Sequence, residues 1–218
     1  MQQKILNGRL GDSMLFRNIV KSTVVGSLVL CSLVFGVSSA FAYEKWMAGG
    51  FGPRPTTAVI HPLSSLDSAS ITAMKNAAAQ YNSSAVNAGT LASIGTNTSQ
   101  TTYPVDNELN EVTKGARGSN SYLMETFAIT TGLVWNGIWW VNTIYEADVD
   151  INISEPWGNG AAGSNDIGNA FTHELGHVLG LGEEPDVTDA TMFPGAAPGE
   201  TKKRTLDTDD IYGLKDIY

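Results

Sequence analysis

The residues best suited to chemistry lie in one stretch, His173 to Glu183, which reads HELGHVLGLGE. On an α-helix, His173 and His177 lie one turn apart on the same face, roughly 6 Å along the axis, so both imidazoles can reach a single metal ion. Glu174 directly follows the first histidine and can take a proton from a water that the metal activates. This HExxH pattern is typical of a zinc site with two histidine ligands and a glutamate general base.

A third ligand is needed, and the sequence provides an acid after the predicted helix. Gly180 follows His177 by three residues and tolerates the positive φ that a chain reversal requires. The next candidate ligand is Glu183, and two histidines with one glutamate form an established catalytic zinc set. We therefore predict His173, His177 and Glu183 as the zinc ligands and Glu174 as the catalytic residue.

The sequence leaves alternatives for the third ligand. Glu184 or Asp186 could replace Glu183 after a small shift of the loop, or the site could be degraded or completed by water. A glutamate ligand also has an electronic effect, because an anionic ligand reduces the net charge of the site from two to one. The activated water is then expected to be less acidic than under three neutral imidazoles.

Residues 1–42 have the composition of a secretory signal peptide. A positively charged segment is followed by an almost unbroken apolar run, Val24 to Val37, and by the small residues Ala40-Phe41-Ala42. We predict cleavage after Ala42, which leaves 43–218 as one domain of 176 residues, large enough to build its own core. Translation from Met14 and an uncleaved membrane anchor are the alternatives, although the apolar run is shorter than the roughly 20 residues of a spanning helix.

Charge and cysteine content restrict the partners of the predicted mature chain. Its net charge is about −12 once the leader is removed, and such a surface repels nucleic acid and anionic membranes. Either solubility outside the cell or calcium binding explains the excess of acids. The single cysteine, Cys31, lies in the leader, so no disulfide can form after cleavage. We expect a monomer, extracellular or periplasmic, without a stable membrane anchor.

Hydrophobic periodicity predicts several strands and helices along the mature chain. Asp67 or Ser68 is a suitable cap for the first helix, and Asp166 or Asn165 for the helix that carries the histidines. The predicted strands are 57–61, 91–94 and 111–114, and the predicted helices are 66–81, 167–180 and 207–218.

The clearest β signal lies between residues 121 and 154. Asn136-Gly137 separates two β-rich runs and favours a tight antiparallel turn, so we predict a hairpin of strands 122–135 and 138–153. Tryptophans at its tip indicate either ordinary packing or an exposed binding patch. These tryptophans are Trp135, Trp139 and Trp140.

The second strand of this hairpin has an alternating pattern. Apolar and polar residues alternate from Ala147 to Ser154, which predicts one buried face and one solvent-exposed face. The residues expected to be buried are Ala147, Val149, Ile151 and Ile153. Those expected in solvent are Asp148, Asp150, Asn152 and Ser154.

The stretch from His173 to Gly182, followed by Ala190-Thr191-Met192-Phe193-Pro194, resembles the matrixins, the matrix-metalloproteinase-like branch of the metzincin zinc endopeptidases. Their motif is HExxHxxGxxH followed by a methionine turn. The resemblance continues at 146–149, similar to the family's edge strand, and at 206–213, similar to its terminal helix. One departure is clear, because Glu183 stands where the family has its third histidine. The only other histidine, His61, is expected to be structural.

The resemblance implies an α+β, metzincin-like fold, with a twisted mixed sheet, an active-site helix, a second long helix and a short C-terminal helix. An extended protein or peptide substrate would add as a strand to the exposed edge at 146–153. Met192 would form the floor under the zinc, and Phe193-Pro194 would border the specificity pocket. Either Asp209 or Asp210 would brace the methionine turn, but both equally suit the start of a helix.

Two features of mammalian matrixins cannot be built from this sequence. A cysteine-bearing propeptide needs a cysteine beyond the leader, and a structural zinc needs more histidines than His61. Calcium is a further candidate cofactor, through carboxylates that the sequence does not select among. The candidates are Asp148, Asp150, Asp166 and the acids after Glu183.

The leading hypothesis is a secreted zinc-dependent endopeptidase that hydrolyses peptide bonds with a zinc-activated water and Glu174 as general base. The competing hypothesis is a non-catalytic secreted binding protein that retains the metzincin fold with a compromised metal site, and Glu183 is the only feature that favours it. A zinc hydrolase acting on something other than protein has no feature in its favour.

Overall fold

A computed structural model describes residues 54, 56–119, 122–135 and 140–218, without the side chains of 132–135 and 140–142. Its main sheet has five strands, β1 Ala58–Pro62, β2 Ala92–Ile94, β3 Asn110–Gly115, β4 Met124–Trp135 and β5 Trp140–Asn152. Their order is β2-β1-β3-β5-β4. Neighbouring strands are parallel except for β4, which runs antiparallel to β5. The sheet is therefore mixed, as predicted.

Three helices accompany the sheet, α1 Ser68–Tyr81, α2 Ile167–Val178 and α3 Thr208–Ile217, and two short strands, β6 Trp157–Gly158 and β7 Asn165–Asp166, precede α2. The core joins apolar side chains of α1 and α2 with those of the sheet. Tyr81 is fully buried and its hydroxyl donates to the Thr172 carbonyl over 2.7 Å, which ties α1 to α2. This packing fixes the helix that carries the histidines.

The helices begin where the sequence predicts, because acidic caps satisfy free N–H groups of the first turn. Asp67 accepts from the Ser70 amide and Asp166 from the Asn169 amide, each over 2.7 Å. These assignments select Asp67 over Ser68 and Asp166 over Asn165. At α3, Asp207 and Asp210 form a capping box.

The prediction that 146–153 forms the exposed edge of the sheet is wrong. The strand that contains these residues, β5, pairs with β3 on one side and with β4 on the other, so its backbone groups are already used. The outermost strand beside it is β4. Alternation of residue types along one strand carries no information on which neighbour lies beside that strand. The hairpin itself is predicted correctly, but its outer strand is β4 and not β5.

The predicted solvent-exposed face of β5 is also wrong. Asp148, Asp150 and Asn152 are buried, whereas Ile153, expected inside, is 52% exposed because β5 ends before it. β3 and the segments that flank it donate to these polar side chains, as the amides of Val105 and Glu111 do to Asp148. Burial raises the pKa of Asp148 to about 7, although these two amides act in the opposite direction.

Some predictions fall partly or wholly outside the described residues. The predicted leader and its cleavage site belong to 1–53, and the predicted turn at Asn136-Gly137 falls on 136–139, which are also outside the described residues. The strands β4 and β5 confirm the hairpin, since Trp135 is the partner of Trp140 across it. The predicted tryptophan patch lies outside the described side chains. In the part of the chain that is described, no helix has the length and apolar character needed to cross a membrane.

Candidate functional site

The helix α2 places both histidines on one buried face, next to the sheet. His173 is 8% exposed and His177 is 5% exposed, and their ring centroids are 4.8 Å apart. The two residues are four positions apart in the helix Ile167–Val178, so their side chains lie on consecutive turns of the same face. The two imidazoles predicted as ligands therefore come together.

Backbone carbonyls determine which nitrogen of each imidazole is available. His173 Nδ1 lies 2.8 Å from the Thr191 carbonyl and His177 Nδ1 lies 2.9 Å from the Leu181 carbonyl. A carbonyl only accepts, so each Nδ1 carries the hydrogen of the neutral ring. Each Nε2 then carries the lone pair of the neutral ring, which is the arrangement of a metal-binding histidine supported by an outer carbonyl.

The turn after α2 brings Glu183 to the histidines. Gly180 has φ 97°, as predicted for the reversal, and the Leu181 amide donates back to the Gly176 carbonyl over 2.9 Å. Glu183 Oε1 then lies 3.6 Å from Nε2 of each histidine. Glu184 accepts instead from the Asp186 amide. Of the acids considered for the third ligand, the structure thus groups Glu183 with both imidazoles.

These three residues fit a tetrahedral zinc ion. Their ligand atoms all lie within 4.8 Å of one another, and no other group of three His, Cys, Asp or Glu among the described residues has such spacing. Zinc bonds of 2.0–2.2 Å require ligand atoms about 3.4 Å apart, close to the observed 3.6 Å. Glu183 Oε2 is buried without a hydrogen-bond partner, as expected of a carboxylate whose charge a cation would balance.

The electrostatics of the cluster already favour an ionised carboxylate. Burial opposes ionisation of Glu183, but His173 and His177 outweigh it and hold the pKa of Glu183 well below its ordinary value. Burial lowers the pKa of His177, yet Glu183, Glu174 and the Leu181 carbonyl together raise it above its usual range. The cluster is therefore a preformed site for positive charge.

The predicted general base, Glu174, lies beside these ligands on α2 and is 6% exposed. Its Oε2 accepts a hydrogen bond from the Thr126 hydroxyl over 2.7 Å. Thr126 belongs to β4, and sequence reasoning missed it because no spacing rule connects that strand with α2. The alternation of the strand, which directs every second side chain of β4 towards the helix, was the only available signal.

The predicted methionine turn is present beneath α2. Met192 is 2% exposed, and its sulfur lies close against Gly176, the residue directly before His177. Asp210 braces the turn by accepting from the amides of Thr191 and Met192 over 2.7 and 3.1 Å. Asp210 rather than Asp209 therefore has the bracing contact that the resemblance implies.

Gly176 is a point of close approach, so Gly176→Ala is expected to destabilise the protein. An added Cβ would lie 2.3 Å from Met192 Sδ and 2.9 Å from the buried Tyr81 hydroxyl. Alanine gains about 1 kcal/mol of helix propensity, but overpacking costs about 1–3 kcal/mol, and Tyr81 is held in place. We expect a net fall in unfolding temperature of about 3 °C in chelator-treated protein. An unchanged or higher unfolding temperature would contradict this packing. Met192→Ala should lower the unfolding temperature less in the Gly176→Ala background than in the native background.

A buried lysine, Lys203, supports the segment after the methionine turn, and sequence reasoning missed it. The side chain is 2% exposed, and its ammonium donates to the carbonyls of Phe193 and Gly195. Its own amide donates to Asn169 of α2 over 2.8 Å. Burial lowers the pKa of Lys203, with Glu200 acting in the opposite direction. The neighbouring Lys202 is more exposed and lies over the Phe193 ring.

The carboxylates considered for calcium have other partners. Asp150 accepts from Arg117, Thr113 and Tyr122. Asp166 accepts from Asn169 and Arg204. Together with the amides on Asp148, these donors occupy positions that an ion would need. Calcium binding stays a prediction without a defined ligand group in the residues described. His61 lies outside the group of His173, His177 and Glu183, and its Nδ1 is hydrogen-bonded to the Thr96 carbonyl.

A mixed five-stranded sheet, an HExxH helix and an underlying methionine turn define a matrixin-like arrangement. Comparison with known proteins supports this class, because residues 137–218 match the family model described as Matrixin. The match covers β5, α2, the methionine turn and α3.

Curated relatives agree with the family match. Matrilysin of Homo sapiens is 32% identical over 101 residues, which is 46% of this chain and 33% of the relative. Matrix metalloproteinase-16 of Homo sapiens is 40% identical over 73 residues, 33% of this chain and 12% of the relative. Metalloendoproteinase 4-MMP of Arabidopsis thaliana is 43% identical over 53 residues, 24% of this chain and 15% of the relative. The chain thus spans a third or less of the length of these relatives.

Proposed function

We propose that this protein is a secreted zinc-dependent endopeptidase. The observation that carries the proposal is the convergence of His173 Nε2, His177 Nε2 and Glu183 Oε1, with Glu174 on the same helix. Similarity to proteins named as a metalloendoproteinase and a matrix metalloproteinase supports the same activity. A single zinc ion, held by these three ligand atoms, would polarise the scissile carbonyl and acidify a water molecule.

In this proposal Glu174 moves the proton. Its Oε2 is occupied by Thr126, so Oε1 is the atom that takes a proton from the attacking water and later gives it to the departing amine. The Nδ1 hydrogen bonds of His173 and His177 keep both rings oriented throughout. In this proposal the histidines bind the metal, and Glu174 transfers the proton without being a metal ligand.

We propose that the substrate binds along β4, because this strand is the outermost one on the active-site side of the sheet. An extended peptide would pair with its free backbone groups, as in other cases of strand addition. The side chain of Thr126 links β4 to Glu174 directly, so a peptide on this strand lies beside the base. Phe193 and Pro194 would border the pocket for a substrate side chain.

Metal content and proteolysis together test the proposed function. We expect about one zinc per chain, cleavage of casein or gelatin, and loss of cleavage with chelator that zinc restores. Stoichiometric zinc without any turnover would contradict the proposal and favour the non-catalytic binding protein. Cleavage that survives complete removal of metal would contradict the role of the cluster.

Export belongs to the same proposal. We infer that 1–42 is removed as a signal peptide and that 43–218 forms the single catalytic domain, monomeric and free of a membrane anchor. The apolar run and the small residues before Tyr43 support this. Amino-terminal sequencing of the exported protein should give Tyr43 as the first residue, and an intact leader on active protein would contradict cleavage.

Lys203→Met is expected to weaken substrate binding more than it slows turnover. The ammonium holds the carbonyls of Phe193 and Gly195, and methionine of similar length leaves both acceptors unsatisfied. A shifted pocket wall should raise KM roughly tenfold for a peptide with a large apolar side chain after the scissile bond, at unchanged zinc content. Steady-state kinetics on peptides with large and small side chains at that position measure the effect.

Lys114→Met is the matched control for this experiment, because it also replaces a lysine that donates to a backbone carbonyl. The Lys114 ammonium donates to the Ser65 carbonyl, outside the segment 193–195. We expect its KM to stay close to that of the native enzyme. Equal changes in both variants would show that the effect comes from lost charge and not from the support of the pocket wall.

A further inference from the structure

Thr126 of β4 is hydrogen-bonded to the proposed general base, Glu174. Its hydroxyl lies 2.7 Å from Glu174 Oε2 and 3.2 Å from the Glu174 carbonyl. Thr126 is 7% exposed and Glu174 is 6% exposed, so water has little access with which to replace this bond. A hydrogen bond from a buried hydroxyl to a carboxylate is both short and strong.

The hydroxyl has one hydrogen, and the 2.7 Å distance directs it to Oε2. The terminal torsion of a glutamate is otherwise broad, so an unheld carboxylate samples many orientations. Fixing Oε2 also fixes Oε1, for which the described residues provide no donor. One oxygen is therefore held by β4, and the other keeps its lone pairs for a proton.

We propose that Thr126 is a positioning residue that aligns Glu174 Oε1 with the reacting water. The inference rests on the proposed protease function and deepens it, because it adds a residue that neither ligates zinc nor exchanges a proton. It also couples substrate to base. A peptide added to β4 pairs with the strand that holds the carboxylate, so its register is set relative to Oε1.

The chain provides a matched control for loss of such a bond. Thr113 of β3 is buried and donates to Asp150 Oδ1 over 2.7 Å, the same length as the bond from Thr126 to Glu174. Asp150 lies in the network with Arg117, outside the proposed catalytic cluster. Thr113→Val removes an equivalent hydrogen bond at a position without a role in the reaction.

The test compares Thr126→Val, Thr126→Ser and Thr113→Val in the zinc-loaded chain with a fluorogenic peptide. Valine keeps the shape of threonine and removes the hydroxyl, so we expect kcat to fall roughly tenfold with KM and zinc content nearly unchanged. Serine keeps the donor and should restore most of kcat. Thr113→Val should retain native kcat despite a lower unfolding temperature. Native kcat in Thr126→Val, or an equal loss in Thr113→Val, would overturn the proposal.

Unfolding temperatures provide a readout that does not depend on activity. Thr126→Val should lower the unfolding temperature by about 3 °C in the native background and by less in the Glu174→Ala background, because the bond needs both partners. Additive losses would overturn the contact itself. If the native protein binds zinc but cleaves no peptide, the proposed function fails. In that case, non-additive unfolding temperatures would still show that Thr126 and Glu174 form a hydrogen bond. The bond would then be structural, and the proposed positioning role would fail as well.

Discussion

Glu174→Gln is expected to reduce kcat/KM by about 10³-fold while the protein keeps its zinc. Glutamine has nearly the same shape and can still accept from the Thr126 hydroxyl, but its amide cannot take a proton from water. Glu174 lies outside the group formed by His173, His177 and Glu183, so the metal ligands remain. Peptide hydrolysis and zinc content, measured on the same preparation, separate these two effects.

Glu155→Gln is a suitable control for this prediction. Glu155 follows β5 outside the candidate site, and the substitution removes one negative charge in the same way. Native activity is expected. Cleavage that persists in Glu174→Gln would refute the assignment of the base, whereas simultaneous loss of zinc would show that this carboxylate contributes to metal binding.

Glu183→Ala is expected to weaken zinc binding by at least about 100-fold and to abolish peptide hydrolysis with it. Loss of an outer partner of a metal ligand already costs about 10–100-fold in affinity, and Glu183 is proposed as a direct ligand. Among the described residues, its Oε1 is the carboxylate oxygen that lies 3.6 Å from the Nε2 atom of each histidine. Competition with a chelator of known affinity measures the change, and the unfolding temperature shows whether the chain still folds.

Two further variants at this position make the assignment specific. Glu184→Ala removes the adjacent acid, whose Oε1 accepts from Asp186, and should retain zinc. Glu183→His exchanges carboxylate for imidazole and is expected to retain or improve zinc affinity and activity. If Glu183→Ala changes neither zinc binding nor activity, or if Glu184→Ala is the variant that loses zinc, the proposed third ligand is wrong.

The central part of the candidate site could be predicted because it is local in the chain. His173, Glu174 and His177 lie within one and a half turns of a helix, and helical geometry relates their side chains without further information. Gly180 and Glu183 follow at once, so a single predicted turn brings the acid back. The choice between Glu183 and Glu184 was left open by spacing, and the turn geometry brings Glu183 to the histidines.

The rest depended on contacts between distant segments. Thr126 and Lys203 reach the site from β4 and from the chain beyond the methionine turn, respectively 48 residues before and 10 residues after the atoms they contact. The strand order also required the whole sheet, which is why β5 was mistaken for an edge. The alternation pattern predicts Asp148 and Asp150 in solvent. This prediction is wrong because the groups that hydrogen-bond to both side chains lie on other segments of the chain.

The sequence by itself determined the main helices and strands, the positions near which α1 and α2 begin, and the grouping of two imidazoles with a neighbouring acid. These follow from periodicity and from interactions within a few residues, which a single sequence contains. The tertiary structure alone decided which strand beside β5 is outermost in the sheet, which oxygen of Glu174 accepts from Thr126, and that the acids of β5 are buried. Those properties arise from pairing and burial between remote segments, and the residues concerned carry no local pattern that specifies their partners.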